Sequence, residues 1–388
     1  MFPRLRRDHS ARMSSRVVEQ PYINKLPQEV VESIIDLLAN ERGALKSCAL
    51  VQRSWLSRAR HHLHRELTID CGNHVLPTPE YYSTGAAEHI RSLKLIAPPQ
   101  PPVPGASDAK ARTVWAIVPR FTALRSLTLI FSNWTAPGKS YEWLRPVTRH
   151  ITHLNLVFAS FVHAVDFFRF LAMFPELESL AMTNVSFGTA ALTAIPPPPP
   201  HGLRELLVRG HIVPPDVTRA FALWLCQLPR LVVPQFSLKW EVGQPECLVP
   251  ILDGLGPRLA HLELPLWSAQ HVPSEVVKTA LHSVTFTSHI PEIGASDVAE
   301  ILAFLARVAT NELRTLTYDV RTTGPLDRVD ASALGDLDAV LCATPHTRFP
   351  NLETVRFRVP ADVAEKLAKG LPRASRRRAL VVDVVKHT

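Results

Sequence analysis

Along most of this 388-residue chain the apolar positions fall in one recurring pattern, apolar-x-x-apolar-x-apolar. The closing apolar-x-apolar is the alternation of a half-buried strand, and the first apolar residue is its lead-in. The pattern occurs at Ile90-Leu93-Leu95, Leu124-Leu127-Leu129, Ile151-Leu154-Leu156, Leu177-Leu180-Met182 and Leu203-Leu206-Val208. It returns at Leu259-Leu262-Leu264, Leu281-Val284-Phe286, Leu313-Leu316-Tyr318 and Leu352-Val355-Phe357. Central positions 127, 154, 180 and 206 are 27, 26 and 26 apart. The step from 206 to 262 is 56, twice 28, with a degenerate copy near Leu231 and Phe236 between them. A period of about 20–30 residues with one strand per unit predicts a stacked array, each unit burying its apolar face against its neighbours.

Helical spacing lies between the strands, over about 112–121, 161–174, 216–228, 297–309 and 331–341. Several stretches end in proline just before the next strand, as at Phe174-Pro175, Leu228-Pro229, Gly256-Pro257 and Phe349-Pro350. Proline cannot continue the helix and biases its predecessor to extended geometry, so each unit carries its own stop signal. The alternation predicts an α/β fold: an irregular leucine-rich-repeat-like solenoid whose strands form a curved parallel sheet on the concave side, beginning near Leu67-Thr68-Ile69. The usual leucine-rich repeat places Asn three residues after the last strand position. Those positions here hold Pro98, Ser132, Ala159, Val185, His211, Trp267, His289, Arg321 and Pro360. With no asparagine ladder, the turns must satisfy their backbone by other means. Spacings also drift late in the chain, from 22 (262 to 284) to 39 (316 to 355).

The pattern changes before residue 67. Val30, Ile34, Leu37 and Leu38 recur at i, i+4, i+7 and i+8 behind Pro27, a helix stripe that Val31 and Ile35 widen. Asn40 to Gly43 interrupt it. A second helix, about 44–51, puts Leu45, Cys48 and Ala49 on one side, and a third, about 53–63, carries Trp55, Leu56 and Ala59. Residues 23–67, opening on Leu26-Pro27 and closing on Arg53-Ser54-Trp55-Leu56, resemble an F-box, most closely those of F-box proteins abundant in mushroom-forming fungi. The resemblance implies a three-helix module that binds the adaptor subunit of an SCF-type cullin–RING ubiquitin ligase, and through it the cullin. It implies Leu26, Pro27, Val30, Ile34, Leu38, Leu50, Val51 and Trp55 as adaptor-binding residues, Trp55 anchoring the third helix to its neighbours. Leucine-rich-repeat F-box proteins share this order of parts, so the repeats are expected to recognise an unknown protein substrate. The alternative is a repeat scaffold for protein interactions with no ligase role, its helices serving as a solenoid cap. The expected domains are a disordered basic tail over 1–22, the F-box over 23–66 and the solenoid over 67–385.

Composition narrows the function classes. Hydrophobic residues are 46%, enough for a large core, while Gly is scarce at 15 and Pro abundant at 34. The net charge of +8 sits at the ends: residues 1–16 hold +4 and residues 366–388 hold +6, leaving −2 between. A basic groove on the folded body is not supported, which argues against nucleic acid as the partner. The ends are expected to be solvated, with contact to nucleic acid or an import signal as the other readings of such runs. Cys48, Cys71, Cys226, Cys247 and Cys342 are widely spaced with no CxxC, which suggests reduced thiols and neither a zinc nor a redox site. No apolar run reaches about 18 residues, so no membrane partner is expected. An intracellular protein, cytoplasmic and/or nuclear, fits these features; the Arg- and Ser-containing start leaves mitochondrial import open.

Catalytic signals are weak. Gly138-Lys139-Ser140 ends like a phosphate-binding loop, but the motif's first Gly would stand at Asn133. Of His61, His62 and His64 two are adjacent and so point in different directions on a helix, and His150 and His153 have no Cys or carboxylate partner at ligand spacing. HExxH and GxSxG are absent. No enzyme activity, metal or cofactor is expected. The prolines at 98–104 and 196–200 read as stiff surface loops, with a polyproline ligand as the alternative. Trp134, Trp240 and Trp267, at or past strand ends, are the substrate-binding candidates, because interface anchors favour Trp, although packing between repeats competes for each.

Overall fold

The computed structural model describes residues 26–71, 86–97, 113–114, 116–134, 141–189, 196–210, 215–228, 235–241, 245–272, 281–289, 292–307, 312–321, 328–342, 349, 351–359, 361–376 and 380–384. The chain divides into two compact units, Met1–Leu63 and His64–Thr388. The expected tail over 1–22, the prolines at 98–104, the Gly138-Lys139-Ser140 motif and Leu231 lie outside the described residues.

The smaller unit is built on α1 (Gln28–Leu37), α2 (Arg42–Val51) and α3 (Arg53–Arg65). Pro27 is the N-cap of α1, and its carbonyl accepts the amides of Val30 and Val31 at 3.1 and 3.2 Å. The core is small: Val31, Ile35, Leu45, Cys48, Trp55 and Ala59, with Leu38, Ala49 and Leu63 packed against it.

In the larger unit twelve parallel strands form one sheet in chain order, the topology of a repeat solenoid. They are β1 (Glu66–Asp70), β2 (Ser92–Ile96), β3 (Ser126–Ile130), β5 (His153–Val157), β7 (Ser179–Thr183) and β9 (Glu205–Arg209), then β10 (Phe236–Glu241), β11 (Leu259–Pro265), β12 (Ser283–Ser288), β14 (Thr315–Val320), β16 (Thr354–Val359) and β17 (Leu380–Val384). Register aligns the central apolar residue of each unit: Leu93 opposite Leu127, then Leu154, Leu180 and Leu206. All are buried. The degenerate copy is a full strand, with Leu238 between Leu206 and Leu262, so the 56-residue step divides into 32 and 24.

Parallel pairing is locked at both ends of the strands. At the start, one carbonyl accepts two amides of the next unit: Arg91 O from Arg125 and Ser126, Arg125 O from Thr152 and His153, Thr152 O from Glu178 and Ser179. At the end, a residue in the left-handed region donates its amide to the next strand's last carbonyl. Ala97, Phe131, Phe158 and Asn184 (φ 48°, 54°, 51° and 51°) pair in this way with Ile130, Val157, Thr183 and Arg209. Gly210 follows at φ 76°, a conformation glycine adopts freely. These bonds satisfy the backbone that an asparagine ladder would otherwise serve.

After three of these turns the chain continues into a second, three-stranded sheet of β4 (Asn133–Trp134), β6 (Ser160–His163) and β8 (Ser186–Thr189). The helix expected over 161–174 is therefore shorter, because Phe161 pairs with Phe187 in that sheet. A further pair joins β13 (Glu292–Ile293) to β15 (Arg328–Val329).

Helices described in full in this unit include α4 (Arg145–Thr148), α5 (Ala164–Leu171), α6 (Pro215–Cys226), α7 (Pro245–Leu255), α8 (Ala295–Arg307), α9 (Ala331–Cys342), α10 (Ala361–Gly370) and α11 (Pro372–Arg376). Rings of successive units join in one core: Phe161, Phe167 and Phe168 meet Phe187, Phe221 and Trp224 at centroid distances of 5.4–6.3 Å. Helices α6 and α7 approach so closely that a Cβ on Gly254 would lie 2.6 Å from Ala222 O. Buried Arg258 donates to the carbonyls of Leu225, Leu228, Gly254 and Leu255, closing the ends of both helices.

The basic residues from 366 lie on the array and are exposed there: Lys366 and Lys369 are on α10, Arg373 is in α11, and β17 pairs with β16. Asp338, itself buried, accepts the amides of Arg373 and Ala374 and so fixes α11. The prolines at 196–200 are not a wholly exposed loop. Pro199 and Pro200 are buried, and the Pro197 carbonyl accepts the Trp224 indole N–H at 2.7 Å.

Candidate functional site

Helix α1 has two apolar sides. Val31 and Ile35 face the core, whereas Val30 and Ile34 are 43% and 41% exposed and Leu37 more so. Leu26 and Pro27 before the helix are exposed, Leu38 is half-buried, and Leu50 and Val51 at the end of α2 are exposed. The sequence stripe therefore divides, with one edge building the unit and the other left on its surface. Trp55 is on the inner side, 7% exposed, and positions α3 without reaching the surface.

One polar cluster fastens α1 to α3. Arg58 donates to both carboxylate oxygens of Asp36, each at 2.5 Å, and His62 Nε2 lies 2.7 Å from Oδ1. These bonds, Arg58 first and then His62, hold the Asp36 carboxyl well below the usual carboxylate range. His61 meets His62 edge-on at 5.3 Å. Among the described residues no three His, Cys, Asp or Glu side chains gather to hold a metal ion.

On the larger unit the outward positions of each strand lie in rows across the sheet. The row nearest the strand ends begins Ile96, Ile130, Val157, Thr183, Arg209, Glu241. It is apolar over the early units and charged later. The charged part is a network: Arg321 donates to Glu241 at 2.6 Å and Asp319 at 2.9 Å and also reaches Glu263, and Arg209 pairs with Glu241 at 2.9 Å. Partial burial pushes the Glu241 carboxyl up, but the hydrogen bond from Arg321 and the charge of Arg209 outweigh it and hold it below its ordinary value. Nearby, burial raises Glu205, but the Ser179 hydroxyl and Lys239 bring its carboxyl down.

The three tryptophan candidates separate. Trp240 is 2% exposed, because the β10 alternation puts it in phase with buried Phe236 and Leu238; it is a core residue. Trp267 is 41% exposed in a turn at Leu266–His271. Trp134 lies in β4. The structure adds Phe131 and Phe158, which the sequence analysis passed over. They are 58% and 48% exposed and stack at 5.1 Å with their planes 11° apart, each in the left-handed turn after its strand. The available signal was an aromatic directly after the last strand position in two successive units.

No family model matches the chain, and no curated protein matches it. Among solved structures, a yeast complex of Rad7 and Elc1 is similar at 16% sequence identity, covering 92% of this chain and 87% of that one, with a TM-score of 0.42.

Proposed function

We propose that the chain is the substrate-recognition subunit of an SCF-type cullin–RING E3 ubiquitin ligase. It holds the adaptor subunit, and through it the cullin, with the outer edge of α1 and the end of α2. A protein target docks on the repeats. The chain performs no chemistry of its own; its contribution is to place the target near a ligase-bound conjugating enzyme, in the cytoplasm and/or nucleus. The observation that carries this reading is the six exposed aliphatic residues, Leu26, Val30, Ile34, Leu37, Leu50 and Val51, on a unit whose own core has six residues. An exposed patch of that kind marks an interaction surface. Covering its aliphatic side chains is worth roughly 1–2 kcal/mol each, of which association costs remove a part.

The test is co-expression of the full chain with its host's ligase adaptor subunit, followed by gel filtration. A stoichiometric complex is expected, abolished by Leu26→Ala with Pro27→Ala while the repeats stay folded. A folded chain that forms no complex would remove the ligase role and leave a protein-interaction scaffold.

A further inference from the structure

The turns that close β2, β3, β5, β7 and β9 each hold one residue in the left-handed region, and these residues form a row: Ala97, Phe131, Phe158, Asn184 and Gly210. The bond from this residue's amide to the next strand's last carbonyl explains the conformation in every unit. It does not explain the rings. Glycine adopts a positive φ freely and asparagine tolerates it, whereas for a bulky residue it is an outlier. Two successive units nevertheless carry phenylalanine there, at φ 54° and 51°. Burial does not offset the strain, since the rings are 58% and 48% exposed. Where a local preference is set aside without a gain in packing, function is the usual reason.

The stack has an open side. Phe131 and Phe158 lie face to face, with centroids 5.1 Å and planes 11° apart. Phe158 follows Phe131 in the row, and Ala97 precedes it on the neighbouring strand. Ala97 is exposed and ends in a methyl group, so the Phe131 face turned away from Phe158 meets no ring there. Beyond Phe158 the row turns onward, because Asn184 Oδ1 lies where a Cβ on residue 210 would stand. The outward strand positions nearest the pair are uncharged: Thr128 and Ile130 on β3, Asn155 and Val157 on β5, Ala181 and Thr183 on β7. Outward charges flank this window, Lys94 on β2 and Glu205 and Arg209 on β9, the latter two engaged by Lys239 and Glu241.

We propose that the open face of Phe131 receives an aromatic side chain of a protein partner, which continues the stack over Ala97. Stacked rings attract one another beyond the area they bury, and aromatic side chains are common anchors at interfaces. An uncharged segment around that ring suits the uncharged window, because a charged one would lose hydration without meeting a counter-charge. The later part of the same sheet is closed on itself, with Arg321 bound to Glu241, Glu263 and Asp319. The proposal rests on the receptor reading and names the side-chain class by which the target is held.

The experiment selects a phage-displayed library of short random peptides on the full chain, then measures the enriched peptides by fluorescence anisotropy. These should share an aromatic residue flanked by uncharged ones, and replacing that residue with Ala should weaken binding about tenfold or more. Phe131→Gly with Phe158→Gly, which keeps the left-handed turns, should weaken it by a similar factor. Its melting midpoint and its adaptor complex should stay close to those of the parent. Leu223→Ala, which removes an exposed apolar side chain from α6, should leave peptide binding unchanged. Enriched peptides without an aromatic residue, or binding that survives in the double glycine variant, would overturn the proposal. So would a parent chain that self-associates in sedimentation beside a double variant that does not, which would assign the pair to a second copy. A chain that binds such peptides but forms no adaptor complex sinks only the ligase role. A chain with the complex and no such peptides sinks only this proposal.

Discussion

The two units spend the same kinds of apolar residue in opposite ways. Of ten large hydrophobic side chains exposed among the described residues, six come from the short helical unit and four, Phe131, Phe158, Leu223 and Trp267, from the far longer repeat unit. In the repeats each leucine of the pattern faces a neighbour of the same kind, so burial accumulates along the array. In the helical unit the second edge of α1 has no such neighbour within the unit. A stack of identical parts can satisfy itself, whereas three short helices keep apolar surface that only something further can cover.

The sharpest way to break this contrast is to delete one tryptophan from each core. Trp55→Ala and Trp224→Ala should each cost about 3–5 kcal/mol. For the helical unit, with its six-residue core, that is as much as a small core supplies. The Trp55 variant should lose hydrogen-exchange protection across α1 to α3 with the repeat strands unchanged. The Trp224 variant also loses the bond to Pro197 O; it should melt at lower temperature yet stay folded at 25 °C. Equal loss of protection in both units of either variant would show that their stabilities are not separate.

A smaller effect separates polar from apolar fastening. The Asp36 carboxyl is held low by Arg58 and His62, so its stabilising contribution is present above the unfolded carboxylate pKa of about 4. It is lost only as pH falls further, through the depressed folded value. Asp36 is 39% exposed, so solvent screening limits the gain to about 1 kcal/mol or less. Asp36→Asn should lower the stability of α1 to α3 at neutral pH and leave it unchanged in strong acid, as read by amide exchange. An equal deficit at both pH values would contradict the assignment.

The smallest effect belongs to the repeat turns. Phe158→Gly should leave the midpoint within about 1 kcal/mol of the parent, because relief of the left-handed backbone offsets the lost stack on Phe131. Phe161→Ala, three residues on and buried, should cost about 3 kcal/mol or more. A large loss at Phe158 would mean that the stacked pair is a packing element rather than a surface one.

Much of the sheet was legible because its period is carried by single leucines in fixed register. The strand starting at Phe236 was harder to see, since no leucine leads into it at the usual spacing. Helix α7 was hidden by Pro245 and Pro250, although Leu248, Ile251, Leu252 and Leu255 fall on one buried face. The candidate surfaces were legible only in part. Both edges of α1 are apolar, and periodicity alone does not say which one a core will take. For Trp240 the reading of packing between repeats holds, because its place in the strand alternation, not its nearness to a strand end, decides which way it points.

The double fastening of the strands has a consequence for the history of such a chain. Because register is set by carbonyls at the strand starts and amides at the left-handed turns, the length of chain between strands is free to vary. Leu93 to Leu127 spans 34 residues and Leu154 to Leu180 only 26, yet both pairs sit side by side. A duplication or deletion of one whole turn therefore leaves every other pairing as it was. A lineage can lengthen, shorten or decorate such an array one unit at a time without passing through an unfolded ancestor.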